Sequence, residues 1–165
     1  MTLLLTIIFL ALVFDFINGF HDAANSIATV VSTKVLSPFQ AVLWAAFFNF
    51  VAFFISKYII GEFGIADTVS KTVESSFVTL PIVFSGLIAA IVWNLATWWL
   101  AIPSSSSHTL VGGFAGAAIA ASGFGAIHAS TIIIIASFIV LAPLIGMGAG
   151  VLITIITMYA AKKSH

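Results

Sequence analysis

Gly19-Phe20-His21-Asp22-Ala23-Ala24-Asn25-Ser26-Ile27-Ala28-Thr29-Val30-Val31-Ser32-Thr33 sets a carboxylate, an imidazole, an amide and several hydroxyls inside an apolar run that begins at Thr2. The run is long enough to lie in a membrane, where a span takes about 20 residues at about 1.5 Å each. A carboxylate at the centre of a spanning helix costs about 3 kcal/mol or more, and such residues usually mark an ion or substrate path. The stretch therefore reads as part of a transport component.

Working outward, Asp15, Asn18, Asp22, Asn25 and Thr29 follow one another at steps of three, four, three and four. On a helix that spacing forms one face. Gly19, Ala23, Ala24 and Ala28 fill in with small side chains, which lets a neighbouring backbone or a ligand approach closely. No Lys or Arg lies in the same apolar stretch. An intramembrane Asp without a basic partner must either carry a proton or coordinate a cation. A polar seam that only bonds helices together explains an isolated Asn or Thr, but two acids and two Asn in register favour a functional stripe. His21 lies about 100° off that stripe. It either protonates during a cycle or caps a neighbouring break in the backbone.

Composition fixes the class. Of the 165 residues 62% are hydrophobic and 6% charged, with a mean hydropathy of +1.27. A soluble domain carries about 25% charged residues, so this chain is an all-α integral membrane protein set in a lipid bilayer. Net charge is zero and there is no Arg, which excludes a nucleic-acid partner. The absence of Cys excludes disulfides and thiolate metal sites. Met1 to Phe14 lack a basic leader and a small-residue cleavage site, so they read as the first half of a retained helix.

Apolar stretches fall at 2–31, 39–60, 80–102, 108–121 and 127–161, giving about five transmembrane or partly re-entrant helices in a single transmembrane domain, 1–165. The first and last exceed an upright span. Each is expected to tilt or to break, near Asn18–Asp22 in one and at Pro143 in the other. The fourth is short for a crossing. Connector 61–79, with Glu62, Asp67, Lys71 and Glu74, reads as a solvated hydrophilic loop. Lys57-Tyr58 and Tyr159 beside Lys162-Lys163 suit membrane boundaries, and Lys placement sets the N-terminus outside and the C-terminus inside. No internal repeat is visible.

Pro103-Ser104-Ser105-Ser106-Ser107-His108-Thr109 precedes the fourth stretch. Ser before a helical run is an N-cap signal, and a helix start in or near a membrane offers free N–H groups and partial positive charge to an anion. A single Ser here reads as a cap; the cluster, 103–109, reads as an anion site. Gly112/Gly116 and Gly146/Gly150 match a small-residue helix-packing pattern, and Asn49, Asn94 and Thr97 read as interhelical hydrogen-bonding residues.

At these two places the sequence resembles the inorganic phosphate transporter (Pit-type) family. Asn18-Gly19-Phe20-His21-Asp22-Ala23-Ala24-Asn25 with Ser26-Ile27-Ala28-Thr29 resembles its first-helix signature. Pro103 to Gly113 resembles its second motif. The resemblance implies symport of inorganic phosphate with H⁺ or Na⁺, or of sulfate in a minority of members, and no cofactor beyond the coupling ion. It places substrate contacts on Asp22, Asn25, Ser104, Ser105, Ser106, Ser107 and Thr109. Cation coupling falls on Asn18, His21, Asp22, Asn25 and Thr29, with Asp22 and Asn25 as metal ligands if the ion is Na⁺. Many Na⁺-coupled members have Asn where this chain has His21, which tilts the reading toward H⁺. The family is built from two related, inverted halves, each with both motifs, and this chain carries one. Its site would be completed by a missing second half, a partner subunit or an antiparallel copy. The resemblance also implies a bacterial inner membrane. Two other readings stand beside it. An intramembrane hydrolase would use a serine, His108 and an Asp, but no nucleophile-elbow pattern accompanies them. A non-transporting assembly subunit would use only the Gly-rich faces.

Overall fold

The computed structural model describes residues 1–61 and 68–162; Glu62, Asp67 and Lys163 lie outside the described residues. Its helices are α1 (Thr2–Ser32), α2 (Pro38–Ile55), α3 (Leu80–Trp99), α4 (Ser106–Ser122) and α5 (Ala129–Lys162), and no strand occurs among the described residues. A π-helical turn, Ser56–Ile60, extends α2. Four helical segments are long and apolar enough to cross a membrane: Thr2–Ser32, Pro38–Ile60, Leu80–Trp99 and Ala129–Lys162. The fold is that of an all-α membrane protein. The fourth helix, with 17 residues, falls short of a span, in line with the shortness of its apolar run.

The chain forms two compact units, Met1–His128 and Ala129–His165. The second consists of α5, which carries Pro143 inside it without interruption. α1 likewise runs unbroken through its polar stretch. Of the two alternatives for these long helices, a tilt or a break, the break near Asn18–Asp22 or at Pro143 is therefore absent. Gly19 is the only weak helix former between Asn18 and Asp22, and a single proline removes one donor that a transmembrane helix tolerates losing. At 31 residues α1 is about 46 Å long, well beyond a hydrocarbon core of about 30 Å.

Local chemistry sets the helix ends. Ser37 caps α2 through a capping box: its side chain accepts from the Gln40 N–H, and Gln40 Oε1 accepts from the Ser37 N–H at 3.1 Å, with Pro38 at the first turn. α1 and α3 both end in a Schellman arrangement. After α3, the Ile102 N–H donates to Thr97 O at 2.8 Å and the Ala101 N–H to Trp98 O at 3.1 Å. Lys34 and Ala101 occupy the left-handed position of these motifs, at φ 59° and 54°, where glycine is usual. Lys57 closes the end of α2, its ammonium 5.9 Å from the Phe53 ring centre and 5.4 Å from that of Tyr58.

Within the first unit, α3 and α4 form an antiparallel hairpin whose backbones nearly touch. A methyl added at Gly113 would stand 2.5 Å from Gly86 O, and one at Gly86 would stand 2.8 Å from Phe114 Cα. Gly112, Gly116, Gly146 and Gly150, singled out from their spacing, have nothing within 4 Å of such a methyl. The packing glycines are Gly86 and Gly113, which lie on different helices and so leave no spacing pattern. α1 runs beside α3 in the same direction: Ile7 and Phe14 share a buried cluster with Leu87 and Ala90, and further along Phe20 meets Trp98 edge-on at 5.2 Å.

The hairpin's open end is tied by a backbone clasp. Val73 and Ile127 form an antiparallel bridge, the Glu74 N–H donates to Ala126 O at 2.9 Å, and the His128 N–H donates to Thr72 O at 3.0 Å. Val73 and Ala126 are buried with Ile82, Phe114 and Ala118. Connector 61–79 is thus not wholly solvated, because Thr72 and Val73 belong to the interior.

Candidate functional site

The polar stripe of α1 divides between two surroundings. Asn18, Gly19, Asp22, Ala23 and Ser26 line one wall of an open-sided cavity of about 470 Å³, and Val42, Ala45, Ala46 and Asn49 of α2 line the other. Small residues on both helices leave the space, and the four-residue step from Asn18 to Asp22 to Ser26 points their polar groups into it. Asp15, Asn25 and Thr29 are exposed on α1 and are not among the lining residues. Asn49, anticipated as a helix-to-helix hydrogen bonder, instead faces the cavity opposite Asp22. Asp22 itself is half exposed there, its side chain at 50%.

His21 takes the other side of the helix. It extends the buried seam of Ile7, Phe14 and Ile17. Since the α1 backbone is continuous, there is no break for it to cap. Its Nδ1 stands 3.5 Å from Asp22 Oδ1, out of line for a hydrogen bond. The imidazole thus connects the buried seam with the carboxylate in the cavity.

The serine cluster forms the tip between α3 and α4. Ser105 is the N-cap of α4, its side chain accepting from the His108 N–H at 3.5 Å. Ser104 and Thr109 share a hydroxyl–hydroxyl hydrogen bond of 3.3 Å, and Thr109 Oγ1 also donates to Ser105 O at 2.9 Å. Ser107 is half-buried, and Ser106 is buried with its hydroxyl unpaired. The sequence motif therefore folds into a capped, hydroxyl-lined helix start, the arrangement that favours an anion. None of Ser104 to Thr109 lines the cavity at Asp22. Within this chain the acidic and hydroxyl elements occupy separate places.

Sequence reasoning undervalued Asn94. It is fully buried, and both its amide oxygen and its amide nitrogen lack a partner. Thr97, also buried, bonds within its own helix, to Trp93 O at 2.9 Å and Asn94 O at 3.1 Å. Neither residue bridges helices by hydrogen bonds, contrary to expectation. Asn18 Oδ1, His21 Nδ1 and Ser106 Oγ are likewise shut off from solvent and unpaired. Each such atom costs about 1–3 kcal/mol when left alone. The only sequence signal for Asn94 was an amide inside an apolar run, which a bonding role explained equally well.

A profile described as the phosphate transporter family matches residues 18–165. A probable low-affinity inorganic phosphate transporter of Rhizobium meliloti (strain 1021) is 46% identical over 160 residues, covering 95% of this chain and 46% of that protein. A protein of the same description from Bacillus subtilis (strain 168) is 43% identical over 167 residues, 99% of this chain and 48% of its own. The low-affinity inorganic phosphate transporter PitB of Escherichia coli (strain K12) is 34% identical over 171 residues, 95% of this chain and 33% of its own. The chain spans less than half the length of these three relatives. No solved structure matches it.

Proposed function

Because this chain belongs to the phosphate transporter family, we propose that it supplies one half of a secondary transporter that moves inorganic phosphate by symport with a cation, H⁺ or Na⁺. The family is one of transporters and not of enzymes, so the hydrolase reading falls away. Its relatives here are bacterial, and the inner membrane is the proposed location.

The observation that carries the reading is Asp22, a carboxylate inside a spanning helix that contains no Lys or Arg, facing a cavity lined by Asn18, Ser26 and Asn49. A cation bound there neutralises the carboxylate and part of the anion's charge. The loaded site then crosses between states more readily than the empty one, which is the differential stability that coupling requires. Ser104 to Ser107 and Thr109 supply hydroxyl and N–H donors to phosphate from the start of α4, and Asn25, exposed on α1, adds an amide. The cavity and the serine tip are separate within the chain, so a second half, contributed by a partner subunit or an antiparallel copy, completes the path.

The purified chain in liposomes, alone and together with the remaining half of the Bacillus subtilis relative, is the test. Labelled phosphate uptake under Na⁺ or H⁺ gradients, reduced by about tenfold or more in Asp22→Asn, is the expected result. Excess sulfate serves as the competitor, and suppression of phosphate uptake by it would show that the site also accepts sulfate. Folded protein with no uptake in either arrangement would overturn the reading in favour of a non-transporting assembly subunit.

A further inference from the structure

α1 and α3 run side by side, and the kind of contact between them changes along their length. At the level of Ile7 and Phe14 they share a buried cluster with Leu87 and Ala90, and Leu110 of α4 packs on it. Toward the serine tip that seal gives way to polar side chains that do not pair. His21 Nδ1, both amide atoms of Asn94 and Ser106 Oγ are buried without a partner. Thr97 turns its hydroxyl back to Trp93 O and Asn94 O of its own helix. The contact that spans α1 and α3 at this level is aromatic. Phe20 meets Trp98 with ring centres 5.2 Å apart and planes at 79°, the edge-to-face geometry that ring quadrupoles favour.

Each ring is fixed to one part of the candidate site. Phe20 stands two residues before Asp22 on an unbroken helix, so the two move together. Trp98 belongs to the turn that leads out of α3: its carbonyl accepts from the Ala101 N–H at 3.1 Å, and that of Thr97 from the Ile102 N–H at 2.8 Å. Beyond that turn, the hydrogen bonds of Ser104 with Thr109 and of Ser105 with the His108 N–H close the tip onto the start of α4. Both sides are locally tied, and the aromatic contact is the joint between them. We propose that Phe20 and Trp98 are a positioning pair, whose edge-on contact sets the spacing between the Asp22 helix and the serine tip and so aligns the tip's donors for an oxyanion. The pair acts through the elements it joins, not as a ligand. One such contact is worth a factor of about two to ten in an equilibrium constant. That is enough to bias the tip toward the closed spacing and little enough to let it open. Trp99, next in the chain, is 81% exposed and meets no ring among the described residues.

The pair's part in phosphate binding rests on the transport reading, whereas the joint itself is measured without phosphate. Amide hydrogen exchange of the purified chain in detergent, resolved by mass spectrometry, is compared for Phe20→Leu, Trp98→Leu, the double variant, Trp98→Phe and Trp99→Leu. Exchange at residues 101–109 is expected to be about two- to tenfold faster in each of the first two. It should be no faster in the double variant than in either single one, restored by Trp98→Phe and unchanged in Trp99→Leu. Residues 72–74 and 126–128 at the clasp should keep their rates throughout. If Phe20→Leu does not fold, Trp98→Leu against Trp98→Phe carries the comparison. Labelled phosphate uptake by the chain with the remaining half of the Bacillus subtilis relative should then show KM raised by a similar factor in the leucine variants, with the maximal rate kept. Unchanged exchange at the tip, additive effects of the two leucines, or an unchanged KM where uptake is measurable would overturn the proposal. The expected exchange pattern in a protein that takes up no phosphate would count against the transport reading alone.

Discussion

Asn94 is a residue whose local environment works against stability. Leucine keeps the branched outline of the side chain and would remove two unpaired polar atoms from the interior. Asn94→Leu is therefore expected to raise the stability of the protein by about 1 kcal/mol. Thermal unfolding of both proteins in detergent checks that expectation. Ala101 has a different conflict, holding φ 54° where an L-residue pays for its Cβ. Ala101→Gly should stabilise the tip by about 0.5–1 kcal/mol, read as a shift in the denaturation midpoint. Asp22 was legible in the sequence because a charge in an apolar run is conspicuous. Asn94 was not, since its meaning depends on what its amide fails to meet, and only three-dimensional packing reveals that.

At the scale of elements, the contact between α3 and α4 is set by two glycines that allow the backbones to approach. Gly113→Ala drives a methyl to 2.5 Å from Gly86 O, so the helices must separate. The expected loss is about 1–3 kcal/mol, measured by thermal or denaturant unfolding in detergent, while Gly112→Ala, whose new methyl meets nothing within 4 Å, does not lower the midpoint. The helices themselves were legible from apolar run lengths, and so was the cap at Ser105, since serine before a helical run is a local signal. Pairings between helices were not. Gly112 and Gly116 satisfied a spacing rule that describes one helix, whereas the real contact pairs residues 27 positions apart on two. For α1 and α5 a tilt or a break stood open, and neither helix breaks: length beyond a span permits a break but does not require one, and tilt or protrusion accommodates the excess equally well.

For the whole molecule, the hydrophilic connector and the segment after α4 are joined through Val73 and Ile127, so the hairpin is fixed at its open end. Val73→Asp buries a charge at a position only 1% exposed and should cost several kcal/mol. Loss of a cooperative melt, with helix content otherwise retained in detergent, is the expected observation. That Thr72 and Val73 are interior could not be read from a loop containing Lys71 and Glu74, because the residues that cover them lie some fifty positions further on. Membrane class, by contrast, follows from composition, and helix order from the placement of the apolar runs.

The Gly86–Gly113 crossing divides the hairpin into two ends with opposite interiors. Below it, toward the clasp, Val73, Ile82, Phe114, Ala118 and Ala126 exclude water; above it, Asn94 and Ser106 hold unmatched polar atoms beside a left-handed alanine. Deuterium should consequently enter the amides of α3 and α4 from the serine tip and advance toward the glycines, stopping there. The hairpin would behave as a lever clamped at one end, with its freedom concentrated at the serine tip, where the anion site is proposed.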